Sequence, residues 1–140
     1  MTGTVEQIAI SARKDALPGA VSEVEVAARG VVGDRYADAG DITLIEAEAL
    51  EAFTAETGIA LTHEESRRQV LTRGVRLNDL LGKRFTVGDV ECVGRELCEP
   101  CSHLQSMTRD GVLRGMVHRA GLNADIVVPG RIAVGDEVHA

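Results

Sequence analysis

The apolar stretches of this chain are short, and nearly every one stops at a turn containing glycine. That punctuation constrains the fold more than any single residue, because a chain broken so often can build short strands but few long helices. Thr4–Ile10 (TVEQIAI) and Val21–Ala27 (VSEVEVA) partly alternate apolar and polar residues, the period of half-buried strands. Phe85–Val87 and Val90–Val93 flank Gly88-Asp89, the pattern of a β-hairpin. Leu122–Val128 and Ile132–Val138 read as two more strands, turned by Pro129-Gly130. The triplet Val-Gly-Asp stands at Val32–Asp34, Val87–Asp89 and Val134–Asp136 with unlike flanks, so it reads as shared turn chemistry and not as an internal repeat.

One segment changes period. From Thr43, TLIEAEALEAFTAETG places Leu44, Ile45, Ala49 and Phe53, then Ala52 or Ala55, near one stripe, with Glu46, Glu48, Glu51 and Glu56 mostly opposite. This predicts a helix that stops at Gly58. Further on, Thr62 with Glu65 predicts a capped helical turn, leading into a strand at Gln69–Thr72. No low-complexity linker divides the chain, and its length suits one domain, residues 1–140. The expected fold class is β-rich (mixed α/β): a barrel of short strands with one substantial helix and short peripheral helices.

Composition narrows the function classes. Aromatic residues make up only 2%, so the core must be aliphatic and stacking platforms for single-stranded nucleic acid are lacking. A net charge of −7 is the wrong balance for a protein that tracks phosphates along DNA. No stretch approaches the roughly 18 apolar residues of a membrane helix, and MTGTVEQIAI lacks the basic and apolar regions of a signal peptide. With an odd count of 3 cysteines, the chain reads as a cytoplasmic protein with no nucleic-acid or membrane partner.

LCEPCSHLQ, Leu97 to Gln105, carries Cys98 and Cys101 in a C-x-x-C spacing. A zinc clamp needs four ligands, and no second C-x-x-C or H-x-x-x-H accompanies this pair; Cys92, His103 and His118 are the remaining candidates. A redox dithiol belongs in a strand-helix-strand unit, whereas here a hairpin precedes the motif. Cys92, within an apolar strand, reads as a small buried hydrophobe, and Cys98 is open to the same reading. Cys101 precedes SHLQSM, a possible short helix whose positive end would favour a thiolate. It is the candidate nucleophile or soft-metal ligand.

Arginine is the second signal. Arg67, Arg68, Arg73 and Arg76 cluster, with Gly74 beside Arg73, and Arg114 and His118-Arg119 flank the late glycines. Guanidinium forks suit a phosphate or similar anion, and backbone amides at Gly74 would add to an anion nest. The alternative is a solvated face paired with Glu64 and Glu65. In GVVGDRY, Gly30 to Tyr36, Asp34 and Arg35 read as turn-shaping residues, the aspartate bonding its own backbone. This segment has neither the GK[ST] of a P-loop nor a third glycine. The histidines show no metal spacing, and no G-x-S-x-G element supports a serine hydrolase.

In order along the chain, GVVGDRYAD, RRQVLTRGVRLNDLLGKRFTVGDVECVG, LCEPCSHL and LRGMVHRAGLNADIVVPGRIAVGDEV resemble the MOSC domain. That module closes molybdenum-cofactor sulfurases and also occurs as stand-alone bacterial proteins. The resemblance covers Val5 to Val138 and implies a MOSC-type β-barrel. It also implies a chemistry centred on one cysteine, matched here by Cys101, as catalytic residue and metal ligand; Cys98 is an extra that many relatives lack. In reductase-type members that cysteine ligates molybdenum and N-hydroxylated substrates are reduced. In sulfurase-type members it is proposed to carry sulfur. Arg67, Arg68 and Gln69, the last standing where the family usually has Asn, would lie near the pterin phosphate of the molybdenum cofactor (molybdopterin). Arg35, Arg73, Gly74, His118 and Arg119 complete the expected cofactor-binding set. The expected function is molybdenum-dependent reduction of a small-molecule substrate. The alternatives are sulfur transfer, with a persulfide on Cys101 supplied by a cysteine desulfurase (itself a pyridoxal phosphate enzyme), or a non-catalytic binding domain.

Overall fold

The computed structural model describes residues 2–13, 16–35, 39–99 and 115–140. Its strands are β1 (Thr2–Ile10), β2 (Gly19–Val21), β3 (Glu23–Ala27), β4 (Gly30–Val31), β5 (Asp41–Glu46), β6 (Val70–Arg73), β7 (Arg84–Val87), β8 (Val90–Leu97), β9 (Leu122–Val128), β10 (Gly130–Ala133) and β11 (Glu137–His139). Two helices, α1 (Ala47–Thr57) and α2 (His63–Ser66), lie between β5 and β6, and a 3₁₀ turn spans Leu77–Leu80. No helix among the described residues is long and apolar enough to cross a membrane.

Seven strands close a barrel in the order β5-β6-β1-β11-β7-β8-β9 and back to β5. An odd ring cannot be antiparallel at every junction. One pair must run parallel, and it is β5–β6, with Leu44 opposite Val70 and Ile45 opposite Leu71. A parallel pair needs a crossover connection, and α1 and α2 form it. The substantial helix is therefore required by the closure of the barrel. Outside the ring, β4 continues the sheet from β5, β3 and β10 extend it further, and β2 pairs with β1.

The barrel interior is aliphatic, as the scarcity of aromatics demands: Val5, Ile8, Ile42, Leu44, Val70, Leu80, Val87, Leu122 and Val138 meet there, with Phe85 as its aromatic member. In β1 both Val5 and Ile8 point inward although they are three apart. A bulge between Val5 and Gln7 shifts the alternation by one residue. A second cluster lies on the outer wall, where Leu50 and Phe53 of α1 cover Ile45, Leu71, Met116 and Ala120.

Local signals placed the turns well. The Val-Gly-Asp triplets all serve as turns, with Gly33, Gly88 and Gly135 at φ of 91°, 55° and 95°, a region glycine enters without strain. Gly58 ends α1 in the left-handed conformation, its N–H bonded to Thr54, and Thr62 and Glu65 form the expected capping box. Three expectations are corrected. The helix begins at Ala47, not Thr43, because residues 43–46 finish β5. Leu44 faces the barrel and Ile45 faces α1, so burial on both sides removed the alternation that marks a strand. Ile132–Val138 is not one strand but β10 and β11, broken at the third triplet. Pro129 does turn the chain, but β10 pairs with β3 while β9 pairs with β8 and β5.

Candidate functional site at the barrel rim

Antiparallel neighbours bring the end of one strand beside the start of the next. At one rim this gathers Ser11 after β1, Gln69 before β6, Cys98 after β8 and Gly121 before β9. The Ala9 amide donates to the Gln69 carbonyl at 2.9 Å, and the Cys98 amide to the Gly121 carbonyl at 2.8 Å. Leu44 pairs with both Val70 and Leu122, so β5 joins the two sides of this rim.

A buried polar network organises one side of it. The Gln69 side chain accepts from the Thr43 amide through Oε1 at 2.9 Å and donates from Nε2 to Asp34 Oδ2 at 3.0 Å. Asp34 Oδ1 accepts from the Ser11 amide at 2.9 Å and lies 3.8 Å from Arg35 Nη1. The Arg35 amide donates to the Ser11 carbonyl, and Ser11 Oγ reaches the carbonyls of Arg13 and Ala16. Arg67, in the left-handed conformation at φ 61°, sends Nη2 to the same Ala16 carbonyl. The Asp34 carboxylate thus reaches beyond its own turn. The turn is closed by its backbone, the Asp34 amide donating to the Val31 carbonyl, and Gly33 supplies the positive φ. The carboxylate serves Ser11 and Gln69 as well.

On the other side, Arg68 Nε donates to the Ala120 carbonyl at 2.6 Å, and its charge acts on the Cys98 thiol. Burial pushes that thiol above its ordinary value, and Arg68 opposes the rise. No carboxylate among the described residues pairs with Arg68. Cys92 is fully buried in β8 and burial pushes its thiol up to about 12, as expected of an inert core residue.

Other members of the expected set lie elsewhere. Arg73 and Gly74 are at the opposite end of β6, about 13 Å from Gln69 at the usual rise of a strand. Arg73 is held by Glu6 and Glu51, each at 2.6 Å, and the Gly74 amide donates to Glu48. Arg119 is held by Glu56 at 2.6 Å. His118, at φ 60°, meets Glu99 through both its amide and its ring, each at 2.8 Å. Gly74, His118 and Arg119 line an open groove of about 520 Å³ beside the start of α1, with Glu46, Glu48, Arg76 and Asn78. Arg35, Arg67, Arg68 and Gln69 therefore share the rim, while Arg73 and Arg119 are ion-paired at the surface, with Glu6, Glu51 and Glu56 and not with the expected Glu64 and Glu65. Cys101 and the SHLQSM segment lie outside the described residues. Among those described, no three metal-ligating side chains gather. Ser11 and Thr43 were not foreseen as members of the network, since neither carries a pattern that distinguishes it from an ordinary loop or strand residue.

The profile of the MOSC domain matches residues 32–139. No curated protein matches the chain. Among solved structures, the YuaD protein from Bacillus subtilis has a TM-score of 0.85 at 17% identity, over 99% of this chain and 94% of that one. YiiM from Geobacillus stearothermophilus gives 0.78 at 14%, over 98% of this chain and 74% of that one. YiiM from Escherichia coli gives 0.73 at 15%, over 99% and 69%. At these identities the likeness is one of fold. The profile, however, runs from the loop that carries Asp34 through every strand of the barrel from β5 to β11, and on that match the chain belongs to the MOSC domain family.

Proposed function

We propose that this MOSC-domain protein binds the molybdenum cofactor at the rim and reduces N-hydroxylated small molecules there. The observation that carries the reading is Arg68: a half-buried guanidinium, held at one nitrogen by Ala120 and paired with no carboxylate among the described residues. A guanidinium has five donors, so a cation kept in this state suits a phosphate better than a structural ion pair does. Arg35 and Arg67 are neighbours on the same rim, and their donors would extend the hold on that phosphate. The donor set thus fits the anionic end of the cofactor. Cys101, three residues after Cys98, would supply the thiolate that ligates the metal, a soft donor for a soft ion. The cofactor, when bound, would pass on two electrons from an external reductant, and with two protons from solvent these convert N–OH to N–H and water. Gln69 is not counted among the phosphate contacts, because Thr43 and Asp34 engage both ends of its amide.

Expression with a supply of cofactor, followed by metal analysis, tests this. The expected result is about one molybdenum per chain, lost in Cys101→Ala and reduced in Arg68→Ala. Absence of molybdenum from the wild-type protein would overturn it.

A second reading is favoured by the thiol already on the rim. The charge of Arg68 acts on Cys98, so a sulfur passed to Cys101 would have a second thiol three residues away, itself under the influence of a cation. In this reading Cys101 holds a persulfide delivered by a cysteine desulfurase. Incubation with such an enzyme and cysteine should add about 32 Da to the chain, and none to Cys101→Ser.

A further inference from the structure

Asp34 is almost wholly buried, its side chain 2% exposed, and its carboxylate meets the Ser11 amide, the Gln69 side chain and the next side chain, Arg35. Ser11 is 23 residues away and Gln69 is 35. A buried carboxylate is costly unless donors and a counter-charge surround it. A neutral asparagine would fit the same turn without that cost. The counter-charge in place is Arg35, itself only 9% exposed at its side chain. Gln69 cannot present its amide the other way round. Thr43 offers an N–H to Oε1, so Nε2 is left to face Asp34. The arrangement has a polarity, and it delivers a negative charge to one place, beside Arg35.

We propose that Asp34 is a positioning residue: its charge holds the Arg35 guanidinium at the rim, and Gln69 holds Asp34. Only the consequence for ligands rests on the oxyanion-binding reading above. The positioning itself concerns Asp34, Arg35 and Gln69.

Three variants separate the charge from the hydrogen bonds. D34N sets an amide N–H against a donor, and Q69E sets two carboxylates against each other, so each alone should lower Tm. In D34N/Q69E the pair is reversed. The amide at 34 then donates to the carboxylate at 69, and Ser11 and Thr43 keep their acceptors. Net charge is unchanged, but the negative charge has moved away from Arg35. The expected result is that the double variant regains the wild-type Tm to within about 2 °C, while the Arg35 Nη protons, the ones that face Asp34, exchange with water about tenfold faster than in wild type. Affinity for inorganic phosphate, followed by NMR, should also stay about tenfold lower. Recovery of the Arg35 signal together with Tm would overturn the proposal, since Asp34 would then be only a hydrogen-bond strut. If the Arg35 signal behaves as expected but wild type binds no phosphate, the positioning stands and the oxyanion reading falls. Should the double variant not fold, D34N alone decides, at a temperature where it is folded: Arg35 guanidinium protons that exchange at the wild-type rate overturn the proposal.

Discussion

Arg68 Nε donates to the Ala120 carbonyl at 2.6 Å, a bond that reaches from the start of β6 to the start of β9 and fixes a cation whose charge acts on the Cys98 thiol. The same side chain placed elsewhere on this surface is neutralised: Arg73 by Glu6 and Glu51, Arg119 by Glu56. Arg68 and Arg73 stand only five positions apart in sequence, yet one end of β6 leads to the rim and the other to an exposed ion-paired face.

Removing each arginine should therefore have different effects. Arg68→Ala should slow alkylation of Cys98, because the cation that opposes the burial-driven rise of its thiol is gone. Arg73→Ala should leave both Cys98 reactivity and stability close to wild type, since its partners are solvent-exposed. Timed labelling of a Cys101→Ser background reads Cys98, and equal rates in the two variants would remove Arg68 from the account.

The crossover helix should be stabilised through Phe53, which is fully buried against the outer wall. Phe53→Ala should cost about 3–5 kcal/mol in urea denaturation, the range for deleting a buried aromatic side chain. Gly121→Ala should also destabilise, by about 1–3 kcal/mol, because Gly121 has φ 112° and a Cβ there would press on the Leu44 carbonyl.

His63 gives a pH dependence. Burial lowers its pKa from 6.5, with the backbone of Arg68 and the charge of Glu64 opposing, and its Nδ1 lies 3.0 Å from Gln7 Oε1. The folded state keeps the ring neutral where the unfolded chain binds a proton. Stability should therefore fall as pH drops below 6.5, by at most about 1.4 kcal/mol per pH unit for this group. Urea midpoints across this range should be flatter in His63→Gln. An unchanged slope would assign the effect to another residue.

Glu46 should behave in the opposite sense. Burial raises its pKa above 4.5, the Leu77 amide opposes, and the nearby Glu48 raises it further. The folded state then binds the proton more readily than the unfolded chain. Its contribution is most favourable below 4.5 and is lost as pH rises through the folded value. Glu46→Gln keeps an acceptor for Leu77 and should stabilise the protein at neutral pH, with the gain vanishing in acid. Thermal melts at the two pH values check the sign.

Much of the molecule was legible in its sequence because the information was local. The three Val-Gly-Asp turns, the stop at Gly58 and the Thr62–Glu65 capping box each depend on residues within one turn of the chain, so residue type alone decides them. The start of α1 was misplaced for a related reason. Leu44 and Ile45 are buried on opposite faces, and an apolar pair gives no sign of which period it belongs to.

What the sequence by itself determined is a set of short strands, their turns and one helix, along with the residue types able to grip an anion. Tertiary structure decided the rest. Closure of an odd ring made β5–β6 the parallel pair and the helix its crossover. It also divided Arg68 and Arg73 between two ends of one strand, and it brought to the Asp34 carboxylate Ser11 and Gln69, 23 and 35 residues away. Those outcomes depend on which backbones become neighbours when the barrel closes, and no window of sequence contains both partners.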